Sequence, residues 1–283
     1  MDQVIERARE ARVFMIAVGS QKDTSAKAVR VAENYPDMIW AAIGLHPNHL
    51  QAMHFDEGEL EVKTRTEEFD PNYYRELARS KKVVGIGECG LDYYRLPKEI
   101  NQKIVIEKQK QVFRKQLDLA DELNLPVIVH VRPDVVVSEA RPSPHTDAHL
   151  DTYEILKEYV EAGRLTRRGV IHCFTAGCKE AQKYVDLGFY IAFGGVITFR
   201  SKRSEHQALL EAVRETPIEK IVIETDAPYL TPEPFRGKRN EPGFVRHVAQ
   251  KLAELRGITL DEAVSKTTQN AIKLFNLESK ILM

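Results

Sequence analysis

The chain has 283 residues, 43% hydrophobic and 29% charged, with a formal net charge of −1. This is material for one large domain or two small ones with an ample core. Near-neutral charge argues against a uniformly basic protein that coats nucleic acid, while leaving room for a local basic patch.

The N-terminal stretch MDQVIERARE is charged from its second residue and has no apolar signal core. No later run reaches the roughly eighteen apolar residues of a membrane span. Cys89, Cys173 and Cys178 lack CxxC spacing, which fits a reducing compartment better than a disulfide framework. A cytoplasmic location without a membrane partner is expected; oligomeric state is left open.

Seven short apolar runs then follow in chain order. They are VFMIAVG (13–19), IWAAIGLHP (39–47), VVGIGECGLD (83–92), PVIVHV (126–131), GVIHCF (169–174), YIAFGGVITF (190–199) and IVIETDAPYL (221–230). Continuous apolar runs mark strands covered on both faces, as in a parallel sheet. Between them lie helical patterns. Residues 101–125 carry Ile104, Val105, Val112, Phe113, Leu117, Leu119 and Leu123 near a 3.6 period. DTYEILKEYVEAG has Asp151 and Glu154 in capping-box spacing and stops at Gly163. TPIEK (216–220) and TLDEAVSKTTQNAIKLF (259–275) predict further helices.

The βαβα rhythm has no composition break, so residues 1–283 read as a single α/β domain. A TIM-type (β/α)8-like barrel of about 250 residues suits the length, with one strand short of closure at the N-terminus. A doubly wound open sheet is the alternative, but no GxGxxG or P-loop pattern follows any strand.

Polar residues end these runs: His46, Glu88, His130, His172 and Asp226. In a barrel those ends share one face, where chemistry is done. One histidine there is ordinary, and one aspartate is often a helix cap. Five at equivalent places are harder to explain without a ligand. A cation would remove the cost of burying Glu88 unpaired. Imidazole with carboxylate suits a hydrolytic Zn, Mn, Fe or Mg centre better than a thiolate site. Strand alternation turns Cys89 and Cys173 to the opposite face.

GLHPN, GIGECGLDYY, PVIVHVR, VIHCFTAG, FGGVITFR and ETDAPYLTPEPFRGKRNEP together resemble the TatD-type metal-dependent deoxyribonucleases. The last motif is the most specific. The resemblance implies a DNA phosphodiesterase with divalent metal ions. In it Glu88 bridges the ions, His130 and His172 complete one metal site, and Asp226 belongs to the other and activates water. His46 lies near the scissile phosphate, and Glu88 and Asp226 are the catalytic carboxylates. The family's N-terminal HxH motif has no counterpart here, so one metal position loses two ligands in this reading. Relatives acting on small esters or amides, a metal-poor remnant, and a natural chain with an earlier start are the alternatives.

Arg236, Lys238 and Arg239 in FRGKRN supply cations for backbone phosphates; Arg132 and Arg200 also follow strands. Tyr93, Tyr94 and Tyr229 are candidates to stack on an unpaired base or simply to pack in a wall. PDVVVSEARPSPHTDAH (133–149) is an insertion read partly as irregular loop; His145, Asp147 and His149 are candidate replacement ligands, with incidental histidines the favoured explanation.

Overall fold

The computed structural model describes residues 1–51, 54–57, 60–63, 65–97, 101–133 and 147–277, with backbone only at 54–57 and 60–63. In chain order the elements are α1 (Asp2–Glu10), β1 (Met15–Val18), α2 (Lys22–Asn34), β2 (Ile39–Ile43), β3 (His54–Glu57), β4 (Leu60–Lys63), α3 (Pro71–Leu77), β5 (Val83–Asp92) and α4 (Gln102–Leu123). Then come β6 (Val127–Arg132), α5 (Ala148–Glu161), β7 (Gly169–His172), α6 (Cys178–Asp186), β8 (Tyr190–Phe193), α7 (Ser204–Glu215), β9 (Ile221–Ile223), α8 (Val245–Arg256) and α9 (Leu260–Phe275). Each of the seven expected strands is present, and each is followed by a helix. The antiparallel β3–β4 hairpin is additional and pairs His54 with Lys63.

The chain divides into two compact units, residues 16–170 and residues 1–15 with 171–283. In the first, the sheet order is β1-β2-β5-β6. β2 and β6 both pair with β5 in parallel. Trp40, Ile43, Ile86, Leu91 and Val129 on these strands are fully buried, as expected for strands covered on both faces.

β5 runs on to Asp92, so Glu88 lies within the strand and Asp92 stands at its tip. The glycines of GIGECG permit this by close approach. A Cβ at Gly90 would lie 2.0 Å from the His130 carbonyl oxygen, and φ there is +143°. A Cβ at Gly87 would lie 2.6 Å from the Ile128 carbonyl oxygen. Side chains at either place would push β5 off β6.

α4 holds two strand ends with buried glutamines seven residues, or about two turns, apart. Gln109 accepts from the Asp92 N–H at 2.9 Å and donates to the Asp92 carbonyl at 2.9 Å. Gln116 accepts from the Leu45 N–H at 2.8 Å and donates to the Leu45 carbonyl at 2.9 Å. Backbone groups at the ends of β5 and β2 are thereby satisfied without water. Ile104, expected among the apolar residues of this face, is instead 64% exposed, because it stands on the solvent side of α4 in line with the exposed Glu107, Gln111 and Lys115.

α5 starts earlier than the capping pattern at Asp151 indicates. Asp147 is the N-cap, accepting from the backbone N–H groups of His149 and Leu150. Asp151 sits in the first turn and receives the Tyr93 hydroxyl at 2.7 Å and Lys110 Nζ at 2.9 Å.

In the second unit the strand order is β7-β8-β9, with β8 and β9 parallel. TPIEK forms only a three-residue 3-10 turn, Ile218–Lys220, after Pro217, too short to propagate an α-helix. α1 is tied to this unit by a bidentate pair between Arg7 and Glu241 at 2.7 and 2.6 Å. Among the described residues no helix is long and apolar enough to cross a membrane.

Candidate active site

Unit 16–170 gathers a cluster from within β5 and β6 and from just past β2. His130, on β6, places Nδ1 2.9 Å from Glu88 Oε1 and Nε2 3.2 Å from Asp92 Oδ2. Burial disfavours a charged imidazole. The Asp92 and Glu88 hydrogen bonds outweigh it and lift the His130 pKa to about 9. Asp92 is fully buried, which favours its neutral form, yet its bond to His130 and that charge hold it well below the usual carboxylate range. Arg95 adds to this, donating its backbone N–H to Asp92 Oδ1 at 3.0 Å with its guanidinium 3.6 Å from Oδ2.

His46 follows β2 and caps the 3-10 turn Pro47–Leu50. Its Nδ1 accepts from the Asn48 N–H at 3.1 Å, and its Nε2 lies 3.4 Å from Glu88 Oε1. An Nδ1 that accepts places the neutral ring's proton on Nε2. His46 therefore presents a donor to the cluster.

The second cluster lies in the other unit. His172 ends β7 with Nδ1 2.6 Å from Glu224 Oε2 and Nε2 3.5 Å from Asp226 Oδ1. Glu224, just past β9, also accepts from the Cys173 backbone N–H through Oε1. Cys173 and Asp226 have left-handed backbone, with φ of 47° and 55°. Such conformations in non-glycine residues require support from their surroundings. The Glu224 bond supplies it at Cys173. At Asp226 the Tyr229 N–H donates to its carbonyl at 2.8 Å. Cys173 therefore serves through its backbone. The Cys89 thiol is buried and points to the Ile128 carbonyl at 3.7 Å.

Do these groups suit a divalent cation? One ligand atom from each of His46, Glu88 and His130 falls within 4.8 Å of the others. With His46 Nδ1 taken by the Asn48 N–H, Glu88 supplies the lone pairs of that group, and His130 joins it once Nδ1 gives up its proton to make room for a cation. Asp92 on the far nitrogen of His130 is the carboxylate–histidine pairing that aims a metal-binding ring. Glu224 does the same for His172, whose other nitrogen faces Asp226. The donors are nitrogen and oxygen, with no thiolate, and fit Mg, Mn or Zn chemistry.

The basic loop lies in the unit of Asp226. Arg236 sits over the Phe199 ring at 3.9 Å, Lys238 lies 5.5 Å from the Phe235 ring centre, and Arg239 is exposed. The loop is fixed by Asn240, only 2% exposed. Its Nδ2 donates to the Thr225 carbonyl at 2.8 Å and the Tyr229 carbonyl at 2.6 Å, on either side of Asp226.

A family model described as "TatD related DNase" matches residues 1–276. The chain belongs to the TatD related DNase family. It is 40% identical over 280 residues to the uncharacterized metal-dependent hydrolase YabD of Bacillus subtilis, covering 98% of this chain and 93% of that one. It is 34% identical over 281 residues to the 3'-5' ssDNA/RNA exonuclease TatD of Erwinia tasmaniensis, with coverage of 98% and 93%. The crystal structure of the TatD homologue YjjV from Escherichia coli superposes with a TM-score of 0.77 at 28% identity, covering 97% and 91% of the two chains. The α/β, TIM-type fold expected from the strand rhythm is thus the fold of this TatD family member. Family membership makes the chain a hydrolase acting on ester bonds.

Asp92, Glu224, Asn240, Gln109 and Gln116 escaped the sequence reading as site-building residues. Asp92 and Glu224 stand inside the motifs GLD and ETD, four residues from Glu88 and two from Asp226. The glutamine spacing of seven on an otherwise apolar helix face was the signal for the others. Of the insertion's candidates, His145 lies outside the described residues. Asp147 is used as a cap, and His149 is buried within α5 at 8% exposure.

Proposed function

We propose that this TatD family member hydrolyses phosphodiester bonds of DNA with the help of divalent metal ions. Glu88 with His130, and Asp226 with His172, are the metal-holding pairs in this reading. The observation that supports it most is the repeated construction: in each pair a histidine is oriented by one carboxylate and faces a second. A bound divalent ion supplies a low-pKa water and neutralises charge on the phosphoryl oxygens.

The chain's own groups do the rest. Asp226, held in a left-handed turn and 31% exposed, accepts the proton of the attacking water. The His46 Nε2–H donates to a phosphoryl oxygen of the substrate. Arg236, Lys238 and Arg239 contact backbone phosphates without reading bases. Among the described residues Cys89, Cys173 and Cys178 form no disulfide, which supports a reducing, cytoplasmic setting.

The test is cleavage of a labelled DNA oligonucleotide by the purified protein, before and after chelation and after return of Mg, Mn or Zn. Cleavage that is lost with chelator and restored by metal, and that is absent in Glu88→Gln and Asp226→Asn, is expected. Full activity of either variant, or turnover of carboxylic esters without DNA cleavage, would overturn the reading.

A further inference from the structure

Tyr94 is 56% exposed, the most exposed aromatic side chain among the described residues. It lies two residues past Asp92, the tip of β5. Arg132 is the last residue of β6 and lies two past His130. Residues two apart on a strand point to the same face, about 6–7 Å from one another. Arg132 is therefore on the His130 side of β6. Its guanidinium carbon sits 4.2 Å from the centre of the Tyr94 ring. The intervening Tyr93 fixes the register: its N–H donates to the Arg132 carbonyl at 2.8 Å. Tyr93 itself is fully buried, with its hydroxyl on Asp151, so it is wall packing.

A single exposed aromatic needs no explanation. This one is aligned by a cation, stands beside the His130–Asp92 pair, and leaves its remaining ring surface to solvent. An aromatic face beside a guanidinium offers stacking to a nucleobase and charge to its phosphate.

We propose that Tyr94 and Arg132 form a stacking subsite for one unpaired nucleobase of the substrate strand, next to the Glu88–His130 cluster. The subsite rests on the nucleic-acid reading given above and adds a requirement for a base, where the Arg236–Lys238–Arg239 loop asks only for phosphates. A duplex terminus must release its base from pairing to use it.

The experiment compares binding of a fluorescein-labelled single-stranded octanucleotide with that of an abasic strand of the same length. Both are measured by anisotropy in EDTA so that neither is cleaved. Wild-type protein should prefer the base-bearing strand by about tenfold, the lower range of stacking on one aromatic. Tyr94→Phe should keep that preference and Tyr94→Trp should enlarge it. Tyr94→Ala should bind both strands alike while melting at the wild-type temperature. Preference unchanged in Tyr94→Ala, or absent in wild type, overturns the subsite. The nucleic-acid reading itself is judged separately, by metal-dependent oligonucleotide cleavage in wild-type protein. Its failure removes the subsite with it.

Discussion

His130 is suspended between two carboxylates, 2.9 Å from Glu88 through Nδ1 and 3.2 Å from the wholly buried Asp92 through Nε2. The arrangement divides labour between residues that resemble each other in sequence. Glu88 faces the cluster, and Asp92, out of solvent, fixes which ring nitrogen is left for a cation.

Asp92→Asn is expected to fold and to lose metal affinity by about 10- to 100-fold, the usual cost of removing an orienting carboxylate. Metal titration followed by calorimetry measures this. Affinity equal to wild type would show that Asp92 only fills space.

His46→Ala is expected to retain bound metal while turnover falls by about a hundredfold, the loss on removing one preorganised donor. Metal content by elemental analysis separates the two roles of this histidine. Loss of metal in proportion to activity would make it a ligand and contradict the tautomer set by Asn48.

Gly90→Ala places a methyl group 2.0 Å from the His130 carbonyl oxygen at a φ of +143°. Overpacking and backbone strain together predict destabilisation of about 3 kcal/mol or more. Urea denaturation reads it directly. A loss below about 0.5 kcal/mol, the scale of ordinary surface changes, would mean that β5 and β6 separate easily.

Asp121 receives Arg164 Nε at 2.9 Å and the Leu165 N–H at 2.6 Å. Arg164, helped by Leu165, depresses its pKa below the ordinary carboxylate value. A depressed folded-state pKa gives stability that is present above the unfolded pKa, near about 3.9, and disappears as pH falls through the folded value. Asp121→Asn should therefore cost about 1 kcal/mol at neutral pH. The difference from wild type should shrink as acid protonates the carboxylate. Paired melts from pH 7 down into this range check it, and a pH-independent difference would refute the ionic explanation.

Much of this molecule could be read without coordinates. The strands announced themselves because two-sided burial removes alternation. Glu88, His130, His172 and Asp226 stood out because charge is costly at the end of an apolar run. What escaped notice was of two kinds. Asp92 and Glu224 act through another side chain, and nothing in residue type separates an orienting carboxylate from a solvated one. Gln109 and Gln116 lie on a helix whose partners are backbone atoms far away in sequence. The start of α5 was misplaced because two aspartates four apart both offer a cap, and Asp151 is taken by Tyr93 and Lys110.

The Asn240 side chain ties the C-terminal end of the basic loop to the carbonyls flanking Asp226, while the side chains of Arg236, Lys238 and Arg239 take no part in those bonds. Grip and chemistry are thus mechanically separable in this half of the chain. On the reading proposed above, natural variation can rewrite the three cations, and with them the polymer that is held, without disturbing the carboxylate two residues from Glu224, provided that one amide is kept.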